Sequence, residues 1–203
     1  MRFKTMVLTG CVALAFALPA VAAPGIAAPD FTVADTNGKP VKLADYLGKF
    51  VVLEWTNPEC PFVQKHYNSQ NMQGLQKEWG AKDVVWLTIN STNMSHSEYK
   101  TPVEMANWMR AEGAAPKAML IDGTSATARV YAAKNTPHMF VIDKTGKVAY
   151  MGGIDDQPHA DPQSLKGAKP YVAMALADLK AGRAVAVPVS RPYGCSVKYN
   201  SAD

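Results

Sequence analysis

The residues best suited to chemistry stand together in "WTNPECPFV", Trp55 to Val63. Cys60 sits between Pro58 and Pro61, just after the apolar run Phe50 to Leu53. That order predicts a strand, a turn and the mouth of a helix. At a helix N-terminus, free backbone N–H groups and the helix dipole stabilise an anion, and the thiolate is the form of cysteine that attacks. Pro61 suits the first helical position because its missing N–H is not needed there. The competing description is a buried cysteine packed as a small hydrophobe. The spacing is that of a Cys-x-x-Cys dithiol, but Val63 stands where the second sulfur would be.

The second sulfur has another source. Cys195 lies in "RPYGCSVKY", residues 191–199, where Pro192 and Gly194 predict a turn that presents it. Three arrangements are open. Cys195 resolves Cys60 after Cys60 has reacted; or a static bridge staples the tail; or both remain thiols. A static bridge over so long a loop is worth about 4–5 kcal/mol in the chain-entropy account. Any bridge requires Cα atoms within about 7 Å, which a mobile tail meets only transiently.

Two further places carry chemistry. Glu54 stands six residues before Cys60 in an apolar strand. Burial there would raise its pKa and fit it to shuttle protons for the sulfur; otherwise it faces solvent or a cation at the strand end. Thr136-Pro137-His138 precedes the strand from Met139 to Asp143. A cis Thr136–Pro137 bond would bring the Thr136 backbone toward Cys60 and offer hydrogen bonds to a bound chain; a trans proline would simply start the strand. His138 is placed to flank the substrate or to partner the thiolate.

The elements that must position these residues follow from patterning. Asn37-Gly38 predicts a hairpin between Phe31–Val33 and Val41–Leu43. Phe50–Trp55 and Val84–Asn90 read as buried strands, with one helix from Cys60 or Pro61 to about Trp79 between them. Thr101-Pro102-Val103-Glu104 is a capping box opening a helix to about Glu112. Ala118–Ile121 is a strand, Ser125–Ala133 a helix, Met139–Asp143 and Val148–Met151 a hairpin, and Tyr171–Ala181 the last helix. Residues 188–203 read as a polar, irregular tail. Alternating strands and helices that end in an antiparallel hairpin predict an α/β fold with a mixed central sheet flanked by helices.

The N-terminus predicts export. Arg2 and Lys4 precede an apolar run from Met6 to Leu18, and Ala20-Val21-Ala22 is a cleavage signal. A membrane anchor is the alternative, though the run is short and Pro19 interrupts it. Leu8-Thr9-Gly10-Cys11 also fits a lipoprotein box, but its apolar run comes mostly after the cysteine. Cleavage removes Cys11 and leaves Cys60 and Cys195, a pair that an oxidising compartment invites into a bridge or a redox couple. The predicted organisation is a leader over 1–22, a domain over 23–187 and a tail over 188–203. A net charge of +4 over 203 residues, with no basic stripe, argues against nucleic acid.

"APDFTVADTNGKPVKLADYLGKFVVLEWTNPECP" and "NTPHMFVIDKTGKVAYMG" resemble the thioredoxin-like redoxins. That group spans the alkyl hydroperoxide reductase/thiol-specific antioxidant family and the periplasmic thiol–disulfide oxidoreductases. The likeness runs from about Ala28 to Gly182. It implies the thioredoxin fold with an N-terminal hairpin extension, a nucleophile at Cys60, a cis Pro137 and a buried acid at Glu54. The chain departs from the pattern in three places. Val63 replaces the resolving cysteine of the dithiol enzymes. The peroxiredoxin Pro-x-x-x-Thr/Ser-x-x-Cys meets Leu53 and Asn57 here. The late peroxiredoxin arginine is replaced by Pro137-His138.

The sequence therefore predicts a periplasmic or otherwise exported thiol oxidoreductase. Cys60, Cys195 and Glu54 are its catalytic residues, and Thr136, Pro137, His138 and Pro61 line the substrate. The substrate is a protein thiol or disulfide, or a hydroperoxide, and an exported thiol reductant resets the site. No organic cofactor, resident metal, nucleic-acid partner or stable membrane insertion after leader cleavage is implied. The alternative is a non-catalytic module that binds peptides, or copper through Cys60, His66, His138, Met72 and Met139, with a structural Cys60–Cys195 bridge.

Overall fold

The computed structural model describes residues 22–199. The leader expected over 1–22 lies outside them but for Ala22, as does Cys11. Among the described residues, no helix is long and apolar enough to cross a membrane. β1 (Thr32–Ala34) and β2 (Pro40–Lys42) form the expected antiparallel hairpin. Asp35 Oδ1 accepts from the Asn37 and Lys39 N–H groups, and Gly38 takes a φ of +79° that favours glycine.

The central strand is β3 (Phe50–Trp55), buried at all six positions. After it come α1 (Pro61–Asn68), α2 (Asn71–Gly80), β4 (Val84–Asn90), α3 (Pro102–Ala111), β5 (Ala118–Ile121) and α4 (Ala126–Tyr131). β6 (Asn135–Thr136), β7 (His138–Ile142), β8 (Val148–Gly152), α5 (Tyr171–Lys180) and β9 (Cys195–Ser196) complete the order. The main sheet runs β5-β4-β3-β7-β8. β4 is parallel to both β3 and β5, whereas β7 is antiparallel to both β3 and β8. This is the mixed sheet of the thioredoxin fold.

Strand alternation divides the core in two. Val51, Leu53 and Trp55 face α4 and the N-terminal hairpin. Trp55 meets Phe140 and Tyr131 with ring centres 5.2 Å apart in each case. Phe50 and Val52 face the other way, under α1, α2 and α5. The Thr101 capping box is formed as expected.

The single helix expected from Cys60 to Trp79 is two helices. The chain turns at Gln70, which takes a φ of 60°. Asn68, Ser69 and Asn71 flank it, and such residues compete with the helix ladder for backbone groups; the Ser69 hydroxyl donates to the His66 carbonyl. The break lets Gln73 on α2 donate to the Tyr67 carbonyl at the end of α1.

The tail is irregular for most of its length, as expected, but it is pinned along its course. The Met151 N–H donates to the Pro188 carbonyl, and the Ser190 N–H to the Met151 carbonyl. β9 pairs antiparallel with β6. Val197 is only 4% exposed and joins the core on the α4 face. Val197→Ala is therefore expected to lower the unfolding free energy by about 2 kcal/mol in urea titration. A tail draped loosely over the domain would give a change within about 0.5 kcal/mol.

Candidate active site

Cys60 is the N-cap residue of α1, with Pro61 at the first helical position. The turn before it is held locally. Asn57 Oδ1 accepts from the Glu59 N–H, and the Cys60 N–H donates to the Asn57 carbonyl. Asn57 Nδ2 donates to Glu98 at 2.6 Å. Pro61 is exposed at the helix mouth, but Cys60 is only 1% exposed. The Cys60 thiol donates to the Thr136 carbonyl at 2.9 Å. The Thr136–Pro137 bond is cis.

The tail brings the second sulfur to this point. In the β6–β9 pair, Thr136 stands opposite Cys195 and Asn135 opposite Ser196. The Cys195 N–H points at Cys60 Sγ, 3.5 Å away. Both cysteines are free thiols. Burial, followed by the contact with Cys60, pushes the half-buried Cys195 thiol up to about 12. Asn135 Nδ2 donates to the Gly194 carbonyl at 2.8 Å. Gly194 has a φ of +115°, and a Cβ there would collide with the Thr136 carbonyl oxygen.

One residue upstream, Tyr193 anchors the tail in a buried polar cluster. Its hydroxyl donates to Asp155 Oδ1 at 2.6 Å. The same oxygen faces His66 Nε2 at 3.0 Å and Lys65 Nζ at 3.4 Å. Since the hydroxyl donates to Asp155, these two nitrogens are the donors. Lys65 Nζ also donates to the Gln157 carbonyl and lies 4.9 Å from the Tyr193 ring centre. Burial pulls the Lys65 ammonium below its usual range, against the opposing pull of Asp155. Burial likewise raises the Tyr193 phenol. Sequence patterning missed this cluster: Asp155 reads as a solvated loop residue, yet it is 3% exposed. The one available signal was the tyrosine beside Gly194-Cys195.

Glu54 is fully buried. It accepts from Tyr67 on one oxygen, and from Trp86, Thr88 and Gln76 on the other. Burial outweighs these four donors and raises its pKa. Among the described residues, its carboxyl makes no hydrogen bond to either sulfur. His138 is 1% exposed; its Nδ1 accepts from the Lys134 N–H, and its Nε2 has no partner among the described residues. Thr136 and Cys195 thus meet Cys60, whereas Glu54 bonds to other side chains and His138 turns its Nδ1 to Lys134. Of the soft groups considered for copper, His66 bonds to Tyr193 and Asn71. No group of three or more His, Cys, Asp or Glu side chains among the described residues is placed to hold a metal.

Burial lowers both His66 and His138 from 6.5 to about 3. Each is therefore neutral when folded and takes up a proton on unfolding below pH 6.5. Their contribution is complete above 6.5 and is lost as pH falls toward 3, at roughly 1.4 kcal/mol per pH unit for each histidine. Urea unfolding between pH 7 and 4.5 should show falling stability. His138→Asn keeps an acceptor for the Lys134 N–H and should remove about 1.4 kcal/mol per pH unit from that slope.

The AhpC/TSA family profile matches residues 24–151. No curated protein matches the sequence. Among solved structures, an uncharacterized conserved protein from Geobacillus kaustophilus is similar at 27% identity. The match covers 91% of this chain and 98% of that one, with a TM-score of 0.77. A hypothetical protein from Sinorhizobium meliloti 1021 shares the fold at 23% identity, 88% and 95% coverage and a TM-score of 0.76. A protein from Chlorobium tepidum, assigned as the thiol:disulfide interchange protein DsbE, matches at 25% identity, 64% and 84% coverage and a TM-score of 0.53. A thioredoxin-like sheet, a cysteine at the mouth of α1 and a family match over most of the chain lead to one conclusion: this chain belongs to the AhpC/TSA family of thioredoxin-like redoxins.

Proposed function

We propose that the protein is an exported thiol–disulfide oxidoreductase in which Cys60 is the nucleophile and Cys195 the resolving thiol. The observation that carries this is the β6–β9 pair, which holds the Cys195 backbone against Cys60 Sγ while both sulfurs are free. The likeness to the Chlorobium tepidum protein supports disulfide exchange. Export rests on the leader sequence, Arg2 to Ala22.

The chemistry proceeds in two displacements. The Cys60 thiolate attacks one sulfur of a substrate disulfide. A Cys60–substrate bond forms, the substrate bond breaks, and the leaving thiolate takes up a proton. Cys195 then attacks the Cys60 sulfur, closes the Cys60–Cys195 bond and releases the second substrate thiol. Two electrons pass to the substrate, and an exported thiol reductant restores the pair. The order follows from the local electrostatics. Burial, and after it the contact and charge of Cys60, hold Cys195 protonated. Once Cys60 is bonded to substrate, that charge is gone and Cys195 is easier to ionise.

A second reading has its own observation. Cys60 is 1% exposed, which a small hydroperoxide tolerates better than a folded protein. The Cys60 thiolate then attacks the distal peroxide oxygen, the O–O bond breaks, the alcohol or water leaves, and Cys195 displaces water from the resulting sulfenic acid to close the same bridge. In either case the Thr136 carbonyl stands at the sulfur, and Thr136, Pro137, His138 and Pro61 are the residues assigned to the substrate.

Glu54 enters as a positioning group. Through Tyr67 it ties α1 to β3, and through Trp86 and Thr88 it ties β3 to β4. Glu54→Gln can keep all four bonds by turning its carbonyl to the three donors and its amide to the Tyr67 oxygen. It should retain exchange rates within about threefold, whereas Glu54→Leu strands buried donors and should cost on the order of 3 kcal/mol. Because the Glu54 pKa is raised, the folded state holds its proton longer than the unfolded one. That stability is complete below 4.5 and is lost as pH rises through the folded value, a slope that Glu54→Gln removes. A proton-relay role would instead move the pH profile of exchange in Glu54→Gln.

The direct test is mass spectrometry of thiol-blocked protein after one equivalent of a small disulfide or of hydrogen peroxide. A Cys60–Cys195 bridge should appear and reduce readily. Cys195→Ser should stop at an adduct on Cys60, with turnover down on the order of a hundredfold. A bridge already present that resists mild reductant would favour the structural module. A Cys60 that stays unmodified would end the enzyme reading.

A further inference from the structure

The tail beyond Cys195 carries a cation that the two displacements above leave unused. Lys198 lies three residues past Cys195, and its backbone is fixed. The Asn93 N–H donates to the Lys198 carbonyl at 2.9 Å, and the Val197 N–H donates to the Lys134 carbonyl at 3.0 Å. Val197 itself is buried in the core. The Lys198 side chain is only 15% exposed, so solvent ions screen its charge less than that of a free surface lysine. Its ammonium stands 3.7 Å from Glu98 Oε1, an ionic contact beyond hydrogen-bond reach.

Glu98 connects this cation to the other sulfur. It comes from the loop between β4 and α3, and its second oxygen accepts from Asn57 Nδ2 at 2.6 Å. The Asn57 carbonyl in turn accepts from the Cys60 N–H. One carboxylate thus holds the turn that carries Cys60 and faces the tail that carries Cys195. We propose that Lys198 and Glu98 form a charge pair that governs the resolving step: the Lys198 ammonium stabilises the Cys195 sulfur as it becomes an anion, and Glu98 tempers that ammonium. The proposal rests on the exchange reading above and names the residues that set the rate of its second displacement. Both act on Cys195 through space, as positioning charges.

The charges that bear on Cys195 come from three elements. Cys60 stands at the mouth of α1, Lys198 on the tail itself and Glu98 on the β4–α3 loop. Glu59, beside Cys60, is already matched by Lys100 at 2.7 Å. Burial and then Cys60 hold Cys195 as a thiol; Lys198 pulls the other way, more strongly than Glu98 pushes. Once Cys60 is bonded to substrate its charge is gone, and the opposing pull of Lys198 is left to tip Cys195 toward the thiolate. Cys195 then gives its proton to solvent and its thiolate attacks the Cys60 sulfur. The Cys60–Cys195 bond forms, the Cys60–substrate bond breaks, and the substrate sulfur leaves with the electron pair and takes up a proton. Before that moment Glu98 helps keep Cys195 a thiol, so the resolving sulfur is held back until Cys60 has reacted.

The test is stopped-flow mixing of the full-length protein with one equivalent of dipyridyl disulfide, a neutral reagent that neither charge attracts. One pyridinethione is released as Cys60 is modified and a second as Cys195 closes the bridge; Cys195→Ser should show the first phase alone. The second phase is read against the first. Losing a favourable charge that lifts the thiol by about one unit cuts the thiolate tenfold but leaves a more nucleophilic sulfur, so the net loss is about threefold. Lys198→Met should therefore slow the second phase about threefold and move its pH profile upward, and Lys198→Arg should restore both. Glu98→Gln, which keeps an acceptor for Asn57, should do the reverse and speed it. If both Lys198→Met and Glu98→Gln slow the second phase, the pair is only a mechanical tie, and if neither changes it, the charges are idle. Either result overturns the proposal and leaves the exchange reading standing. A wild-type protein that stops at a Cys60 adduct, with no second phase, overturns the resolving role of Cys195 and this proposal with it. Should Lys198→Met fail to fold, Glu98→Gln carries the sign alone: faster sustains the proposal, slower or unchanged overturns it.

Discussion

The site depends on one close approach of backbone to backbone. The Thr136 carbonyl accepts from the Cys60 thiol on one side and is crossed by Gly194 on the other. No residue with a Cβ can make that crossing without moving Thr136, and Thr136 cannot move without losing Cys60. The cis Thr136–Pro137 bond aims the carbonyl, and Asn135 closes the contact by donating to the Gly194 carbonyl. Everything else in the molecule either brings these backbones together or keeps them there. β3 and β7 set the distance between the Cys60 turn and the Thr136 loop through their antiparallel register, with Trp55 opposite His138. The N-terminus of α1 then faces that loop.

Two buried polar clusters hold the parts in place, and they solve the burial problem differently. Glu54 is an isolated carboxyl with four donors, and burial raises its pKa in spite of them. Lys65 and Asp155 instead bury a cation and an anion within reach of one hydroxyl, that of Tyr193. His66, 3.9 Å from Asp155, is neutral and contributes a hydrogen bond to that hydroxyl rather than a charge. The first cluster locks the sheet to α1 and α2. The second locks the tail to α1, and so couples the position of Cys195 to the helix that carries Cys60. Buried charge of this kind is poor at adding stability but good at fixing one arrangement.

The scaffold was legible in the sequence because its signals are local. Apolar runs such as Phe50–Leu53 and Val84–Leu87 commit to strands, and Thr101 with Glu104 commits to a helix start. The break at Gln70 was not legible, since it depends on how α2 packs back on α1. The Cys60 turn was legible as chemistry because proline, cysteine and a following helix are neighbours in the chain. The tail was not. Its polar composition predicts only an irregular segment, whereas its conformation is set by residues far away in sequence: Thr136, Asp155 and the core around Val197. A residue paired across such a distance leaves no periodicity to read. Glycine and tyrosine beside the second cysteine were visible, but only the Thr136 carbonyl explains the one and only Asp155 the other.

The unequal exposure of the two sulfurs gives the proposed cycle a direction. Cys60 is covered, and Cys195 is half-buried with Ser196 open beside it. In the bridged form an incoming reductant thiolate would therefore meet Cys195, and the sulfur driven off would be Cys60. That is the favourable polarity, because the departing negative charge then lands at the N-terminus of α1, where unpaired N–H groups receive it. In the substrate half of the cycle Cys60 is the attacker, and the charge starts from the same place. Both halves thus keep the anion at one helix end, while Cys195, held as a thiol beside Cys60, carries the exchange with the outside. A Cys-x-x-Cys motif puts both sulfurs on one helix; here the second is on β9, held beside the first by Tyr193 on one side and the buried Val197 on the other.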